Sequence, residues 1–395
     1  MLDPATQKFD IGDKMKLKVI VASTFVVWAT AADAQSSVTL YGAVDTGVLY
    51  QSANAPNFQS NLNLGHVYEL KDAGMLPSYW GIKGSEDIGG GYKVNFRLQG
   101  AFTSTNGKFG LGDTPGSNAI FNQQATLGIS GPFGSIDAGR QIVPMIYAMA
   151  DTDVRNLQFF GSILTAWLGM NQASGWPGTS TNGSVGALYD SNAIVYQSPK
   201  FGGASLALEY APGGVAGQFQ GGTHESAVLR YSNYGLNLAA VYYNGHDTNP
   251  FTTTPTGGVI TAPSTGLNNN RFYYLGAMYT FHDFSVSTSY SIGKNPANSG
   301  HDNFEMISCG LGYRFTPFFK VTSGFYYLKD RNVSSNQSDL FAAGAEYSLS
   351  KTTIAYVQVG HVNNRGKMSQ TIAYGAPVPE GTSSTAAMVG IRHTF

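Results

Sequence analysis

The sequence predicts an all-β fold, a 16-stranded antiparallel transmembrane β-barrel with an inward-folded third loop. Three observations point there. Apolar and polar residues alternate with period two along segment after segment of residues 35–395. The segments are joined by connections that are alternately short and long. One connection, residues 141–187, is far longer than a turn needs, as expected of a functional loop.

Composition sets the frame. Only 12% of the 395 residues are charged, against about a quarter in ordinary soluble domains. Beyond the N-terminus no apolar run reaches the length of a membrane helix. With 49 Gly, 23 Tyr and 23 Phe, the chain suits aromatic-rich strands joined by glycine turns. The formal net charge of −1 supplies no electrostatic footprint for nucleic acid. The single cysteine, Cys309, excludes an internal disulfide framework and a multi-cysteine metal site. It reads as a small apolar side chain on a strand.

In chain order, Met15-Lys16-Leu17-Lys18 is a basic start to the apolar run Val19–Ala31, and Ala32-Asp33-Ala34 is a small-x-small cleavage site. Residues 1–34 are therefore expected to be an N-terminal extension plus a cleaved secretory signal peptide, and 35–395 the barrel. In the first strand Val38, Leu40, Gly42 and Val44 oppose Thr39, Tyr41, Ala43 and Asp45. In a later one Phe284, Val286, Thr288 and Tyr290 oppose four serines. A soluble sandwich would alternate in the same way, so the connections decide. Short ones fall at 86–90, 131–134, 199–202, 232–235, 281–283, 315–317 and 348–351. Long ones fall at about 51–67, 103–121, 141–187, 211–223, 246–270, 294–303, 330–337 and 362–384. Fifteen strictly alternating connections give sixteen strands with every long loop at one end, the pattern of an outer-membrane barrel. In lipid each backbone group must pair internally, which only a closed sheet achieves for strands.

The resemblance then becomes specific. Val38–Tyr50 (VTLYGAVDTGVLY), Trp80–Asp87 followed by Gly89-Gly90-Gly91, Gly139-Arg140-Gln141, Ser198-Pro199 and the ending Val389–Phe395 together resemble Gram-negative general-diffusion porins, particularly those of beta-proteobacteria. The resemblance implies an outer-membrane homotrimer of 16-stranded barrels, each with its third external loop as a constriction. It implies a passive diffusion channel for ions and small hydrophilic solutes. Such a pore needs no reaction chemistry, so no cofactor is expected, and the seven scattered histidines form no His-Glu-x-x-His pair, so no metal is expected. It also implies contact with outer-membrane lipid, and recognition of Phe395 by the outer-membrane assembly machinery. The second strand departs from the family: Tyr79, in Ser78-Tyr79-Trp80-Gly81, stands where an arginine is frequent. Tyr189 and Asp190 likewise stand where a further arginine is usual. The basic wall is thinned, and only a mild ion preference is expected.

Inward parity nominates Lys83, Arg97, Arg230, Arg314, Lys320 and Arg392 as basic lumen residues, and Asp45, Glu209 and Glu346 as acidic ones. In the third loop, Asp151 and Asp153 are expected to face Arg97 and Arg140 across the bore, setting a transverse field. Solvated loop acids or helix caps would explain the same two residues. Arg140 lies on the lipid side by strict alternation, and the expectation that it enters the pore relies on a bulge at Gly139. The alternative function is a solute-specific channel on the same barrel, for which Phe159, Phe160, Trp167 and Trp176 supply aromatic faces. No nucleophile elbow or phosphate loop supports an enzyme.

Overall fold

Period-two alternation becomes one sheet whose two faces see different surroundings. On β1 (Ser37–Gln51) Val38, Leu40, Val44 and Val48 are exposed, whereas Ala43, Asp45 and Leu49 are fully buried. The computed structural model describes residues 37–110, 119–176, 183–246, 269–296 and 302–395. The expected signal peptide and most of the external loop 246–270 lie outside these residues.

The sheet runs through β2 (Val67–Asp72), β3 (Ser78–Gly89), β4 (Tyr92–Phe102), β5 (Gln124–Gly131), β6 (Gly134–Ile142), β7 (Tyr189–Gln197), β8 (Ala204–Ala211) and β9 (His224–Asn233). It continues through β10 (Leu236–His246), β11 (Asn269–Phe281), β12 (Phe284–Asn295), β13 (Asp302–Thr316), β14 (Phe319–Asp330), β15 (Gln337–Ser348), β16 (Thr353–Arg365) and β17 (Ser383–Thr394). From β3 onward each strand pairs antiparallel with the next, and β17 pairs back onto β1 from Ala43↔Thr394 to Gln51↔Ala386, closing the barrel. Phe395 extends this seam by exchanging two backbone hydrogen bonds of 3.0 Å with Gly42.

Seventeen segments make sixteen staves, because β2 and β3 pair with successive halves of β1. The break at Ala73–Pro77 is absent from the sequence reading, and its cause is not local. The buried carboxylate of Asp45 accepts from the backbone N–H groups of Gly74 (3.2 Å), Met75 (3.0 Å) and Leu76 (3.1 Å). Those donors are thereby withdrawn from the ladder, and Pro77 has none to give. The turn after β3 needs left-handed backbone, supplied by Gly90 and Gly91 at φ +63° and +80°. All other breaks agree with the expected alternation of turns and loops.

Candidate functional site: the bore and its inward-folded loops

Among the described residues the third loop holds two helices, α1 (Pro144–Asp151) and α2 (Ile163–Ala173). Pro144 opens α1, where a missing N–H costs nothing. Ser162 caps α2 in a reciprocal box with Thr165. α1 packs on the inner faces of β8–β11, and α2 on β13 and β14. Residues 163–172 of α2 are buried all round. A helix apolar on every side belongs inside a packed layer, and here other loops complete that layer.

One of them is residues 366–382, within the long connection expected at about 362–384. Met368, Ile372, Ala373 and Val378 are buried, and Gly161 donates to the Ile372 carbonyl at 2.8 Å. The rings of Phe159 and Tyr374 stack with centroids 4.4 Å apart, and burial pushes the Tyr374 hydroxyl's pKa upward. Phe159 also donates its N–H to the Met75 carbonyl, tying in the 73–77 break, while Trp176 stacks on Phe58 of loop 52–66. The available signal was the run of apolar residues at 368, 372, 373 and 378 between polar neighbours.

The hinge between the helices carries two buried charges. The Asp153 carboxylate accepts from the N–H groups of Ile163 (2.8 Å) and Arg155 (3.2 Å) and from the Tyr326 hydroxyl (3.0 and 2.9 Å). Burial dominates its chemistry and pushes its pKa up to about 6. Arg155 donates to the Phe160 carbonyl and Gln358 Oε1, both at 2.8 Å, and to Thr322 Oγ1 at 3.2 Å. Both side chains therefore moor the loop to the wall. Asp153 does not face the open bore as expected, because the backbone N–H groups of Arg155 and of Ile163 at the start of α2, with a wall tyrosine, consume its oxygens.

Asp151, two residues earlier, is half exposed and lies 3.3 Å from Arg230 of β9. Its partner is thus Arg230 and not Arg97 or Arg140. The open recess beside α1 has a volume of about 560 Å³, and its lining includes Lys83, Arg97, Arg230, Asp137, Gln124, Gln141 and Tyr147. Lys83 and Arg97 sit directly opposite each other on β3 and β4. Lys83 also lies 5.0 Å from the centroid of the Tyr41 ring, and Arg97 reaches Gln124 Oε1 at 3.5 Å. Burial raises the pKa of the Tyr147 hydroxyl, against the pull of Arg97 and Arg230.

Tyr79 is on the inner wall, with its ring edge-on to Tyr41 at 6.0 Å and 6.0 Å from the Arg392 guanidinium. Arg392 in turn reaches the Leu76 carbonyl at 2.9 Å and Asp45 at 3.5 Å. Lys320 and Glu346 pair at 3.0 Å, and Arg314 is exposed near the β13–β14 turn. Glu209 is buried, and neither of its carboxylate oxygens has a hydrogen-bond partner among the described residues.

Arg140 requires a correction. It pairs opposite Ala125, on the face that carries exposed Leu127 and Ile136, while its neighbour Gln141 lines the bore. Gly139 does take φ +127°, but the extra residue falls on β7, where Asn192 adopts φ +57°. Arg140 therefore keeps its outward parity. It is satisfied there by the Asn122 carbonyl (2.6 Å), Ser191 Oγ (2.8 Å) and the Tyr189 ring, 5.3 Å away. The four loop aromatics nominated as a solute track are also occupied: Phe159, Phe160, Trp167 and Trp176 are all buried in the loop layer.

The sequence profile of the Gram-negative porin family matches residues 19–367. Outer membrane porin protein 32 of Delftia acidovorans is 28% identical over 393 residues, covering 96% of this chain and 99% of its own length. An outer membrane porin protein of Bordetella pertussis is 27% identical over 426 residues, covering 96% and 100%. Among solved structures, an anion-selective porin from Comamonas acidovorans shares the fold with a TM-score of 0.72 at 24% identity, over 91% of this chain and all of that one. OmpT of Vibrio cholerae, solved in a trimer form, matches with a TM-score of 0.65 at 12% identity, over 91% of this chain and 99% of that one. A closed sixteen-stave barrel, loops folded into its bore and a profile spanning most of the sequence converge: the chain belongs to the Gram-negative porin family, and it is an outer-membrane porin, a passive diffusion channel.

Proposed function

We propose that ions and small hydrophilic solutes cross through the lane between α1 and the β3–β9 wall, and that loop 141–187 is the constriction. The lane favours small anions mildly. The observation that carries this reading is the gathering of Lys83, Arg97 and Arg230 around one recess, with Asp137 as the acid in its lining and Asp151 already engaged by Arg230. Charges held beside low-dielectric walls bias ions more than the same charges in bulk water. Burial of the loop aromatics favours a general pore over a solute-specific one. Self-association as a homotrimer and Phe395 as the assembly signal complete the reading, with residues 1–34 removed on export.

The test is the reversal potential of the purified protein in a salt gradient. Each cation contributes up to about 1 kcal/mol at 4 Å in water. The double variant Lys83→Gln/Arg97→Gln should therefore shift the anion-to-cation permeability ratio several-fold toward cations. An unchanged reversal potential, with normal conductance, overturns the assignment of these two residues.

A further inference from the structure

α1 has two sides with different surroundings. Tyr147 lines the open recess, and half-exposed Asp151 reaches Arg230 at its edge. Met145, Ile146, Ala148 and Met149 are buried, where the helix packs on the inner faces of β8–β11.

Beside and beneath that packed side lies an acid cluster that the conduction lane does not use. Asp190 at the start of β7, Glu209 on β8, His224 and Ser226 on β9 and Tyr243 on β10 are all buried. Asp190 and His224 pair through Oδ1 and Nδ1. The Tyr243 hydroxyl donates to Asp190 Oδ2 at 3.3 Å and lies 2.9 Å from His224 Nδ1. Glu209 has no such support. It sits directly opposite Ser226, and Ser226 directly opposite Tyr243. Yet neither Glu209 oxygen, nor Ser226 Oγ, has a hydrogen-bond partner among the described residues. No lysine or arginine lies within 4 Å of Asp190 or Glu209 among those residues, and Arg230, further along β9, is engaged by Asp151. The charge that acts on Glu209 is the like charge of Asp190. A carboxylate so enclosed lacks both water and donors, and gains them when the helix over it moves away. Loss of a proton from His224 makes the cluster more negative still.

We propose that this cluster is an alkaline-closing switch: when Glu209 ionises beside Asp190, α1 leaves the β8–β10 face and enters the lane, narrowing it. α1 is a single layer between the packed face and the recess, so a shift away from one is a shift toward the other. The Asp151–Arg230 pair restrains its C-terminal end, so the turn after Pro144 moves more. The packed arrangement keeps the Glu209 proton and the displaced one releases it to water. The ratio of displaced to packed helix therefore rises by up to about tenfold per pH unit once that carboxyl titrates. The switch rests on the lane lying beside α1, as proposed above.

The test records single channels of the full mature protein in planar bilayers between about pH 6 and 10. The unsubstituted protein should gain a level of reduced conductance, its occupancy growing by up to about tenfold per pH unit. Glu209→Gln should stay open throughout, and Asp190→Asn should blunt the response. Lys83 and Tyr147 beside the lane are titratable too, and both remain in Glu209→Gln. A reduced level that persists in this variant therefore overturns the proposal, as does conductance in the unsubstituted protein that ignores pH. Ala148, buried on the packed side, reports the displacement without reference to conduction. In Cys309→Ala/Ala148→Cys a methanethiosulfonate reagent should react faster at high pH, after correction by the rate for free cysteine, and adding Glu209→Gln should abolish the gain. No gain overturns the switch itself. A gain with undiminished conductance refutes closure because the lane then lies away from α1, a failure that the Lys83/Arg97 reversal potential identifies separately. If Glu209→Gln does not insert, Asp190→Asn and the unsubstituted pH profile decide.

Discussion

Replacing Asp153 tests the mooring of the third loop. The carboxylate is fully enclosed and its pKa stands at about 6 instead of 3.8. That gap is worth ~3 kcal/mol at 1.36 kcal/mol per pKa unit. The folded loop binds the proton more tightly than the unfolded chain does. The associated stability is therefore complete below 3.8 and is lost as the pH rises through about 6. Asp153→Asn keeps the shape without the titration. At pH 7 it loses charge-assisted acceptors for Ile163 and Arg155, at about 1.5–3 kcal/mol each, but escapes the burial penalty, so its net effect is small. Asp153→Ala strands three donors and opens a cavity, destabilising the loop by about 3–5 kcal/mol. The assay is amide hydrogen exchange over residues 163–173 between pH 4.5 and 7, corrected for intrinsic rates. The parent protein should be better protected at the lower pH, Asp153→Asn should show no such trend, and Asp153→Ala should be unprotected throughout. A pH trend that persists in Asp153→Asn, or full protection in Asp153→Ala, refutes the reasoning.

Three further outcomes follow from the same geometry. Glu209→Gln replaces a buried carboxyl whose oxygens have no hydrogen-bond partner among the described residues and whose neighbour is the acid Asp190; it should raise barrel stability at alkaline pH, where the carboxyl would otherwise have to ionise, by about 1–3 kcal/mol, read as a higher unfolding temperature in detergent. Asp45→Ala removes the acceptor for Gly74, Met75, Leu76 and the Tyr356 hydroxyl, and leaves Arg392 without its carboxylate; a loss of about 3–5 kcal/mol should lower that temperature. Replacing residues 368–378 with a Gly/Ser linker uncovers α2; conductance should rise and tryptophan emission should shift to the red, since Trp167 and Trp176 would meet water.

What could be read from the sequence was what two-residue periodicity and turn chemistry encode. Phe284, Val286 and Tyr290 against Ser287, Ser289 and Ser291 divide outside from inside without further information. The strand break at 73–77 could not be read, because its cause is a carboxylate about thirty residues earlier in the chain. Asp151 and Asp153 look equivalent in sequence, and the register of Tyr326 and the start of α2 separate a solvent-facing acid from a buried anchor. Gly139 was a sound marker of local irregularity, but the inserted residue went to the facing strand at Asn192. The inward course of 366–382 depends on Phe159, Phe160 and Gly161, some two hundred residues away.

Joining β1 to β17 makes the first and last strands of the sheet mutual neighbours. Until Gly42 meets Phe395, the growing sheet has two unsatisfied edges, and nothing within the chain can cap either one. Phe395 and the strand before it are thus needed for a finished perimeter. Pairings of such large sequence separation form slowly. Removing even a few C-terminal residues should therefore cost not a fraction of the structure but its completion, leaving an open ribbon prone to join the edges of other copies.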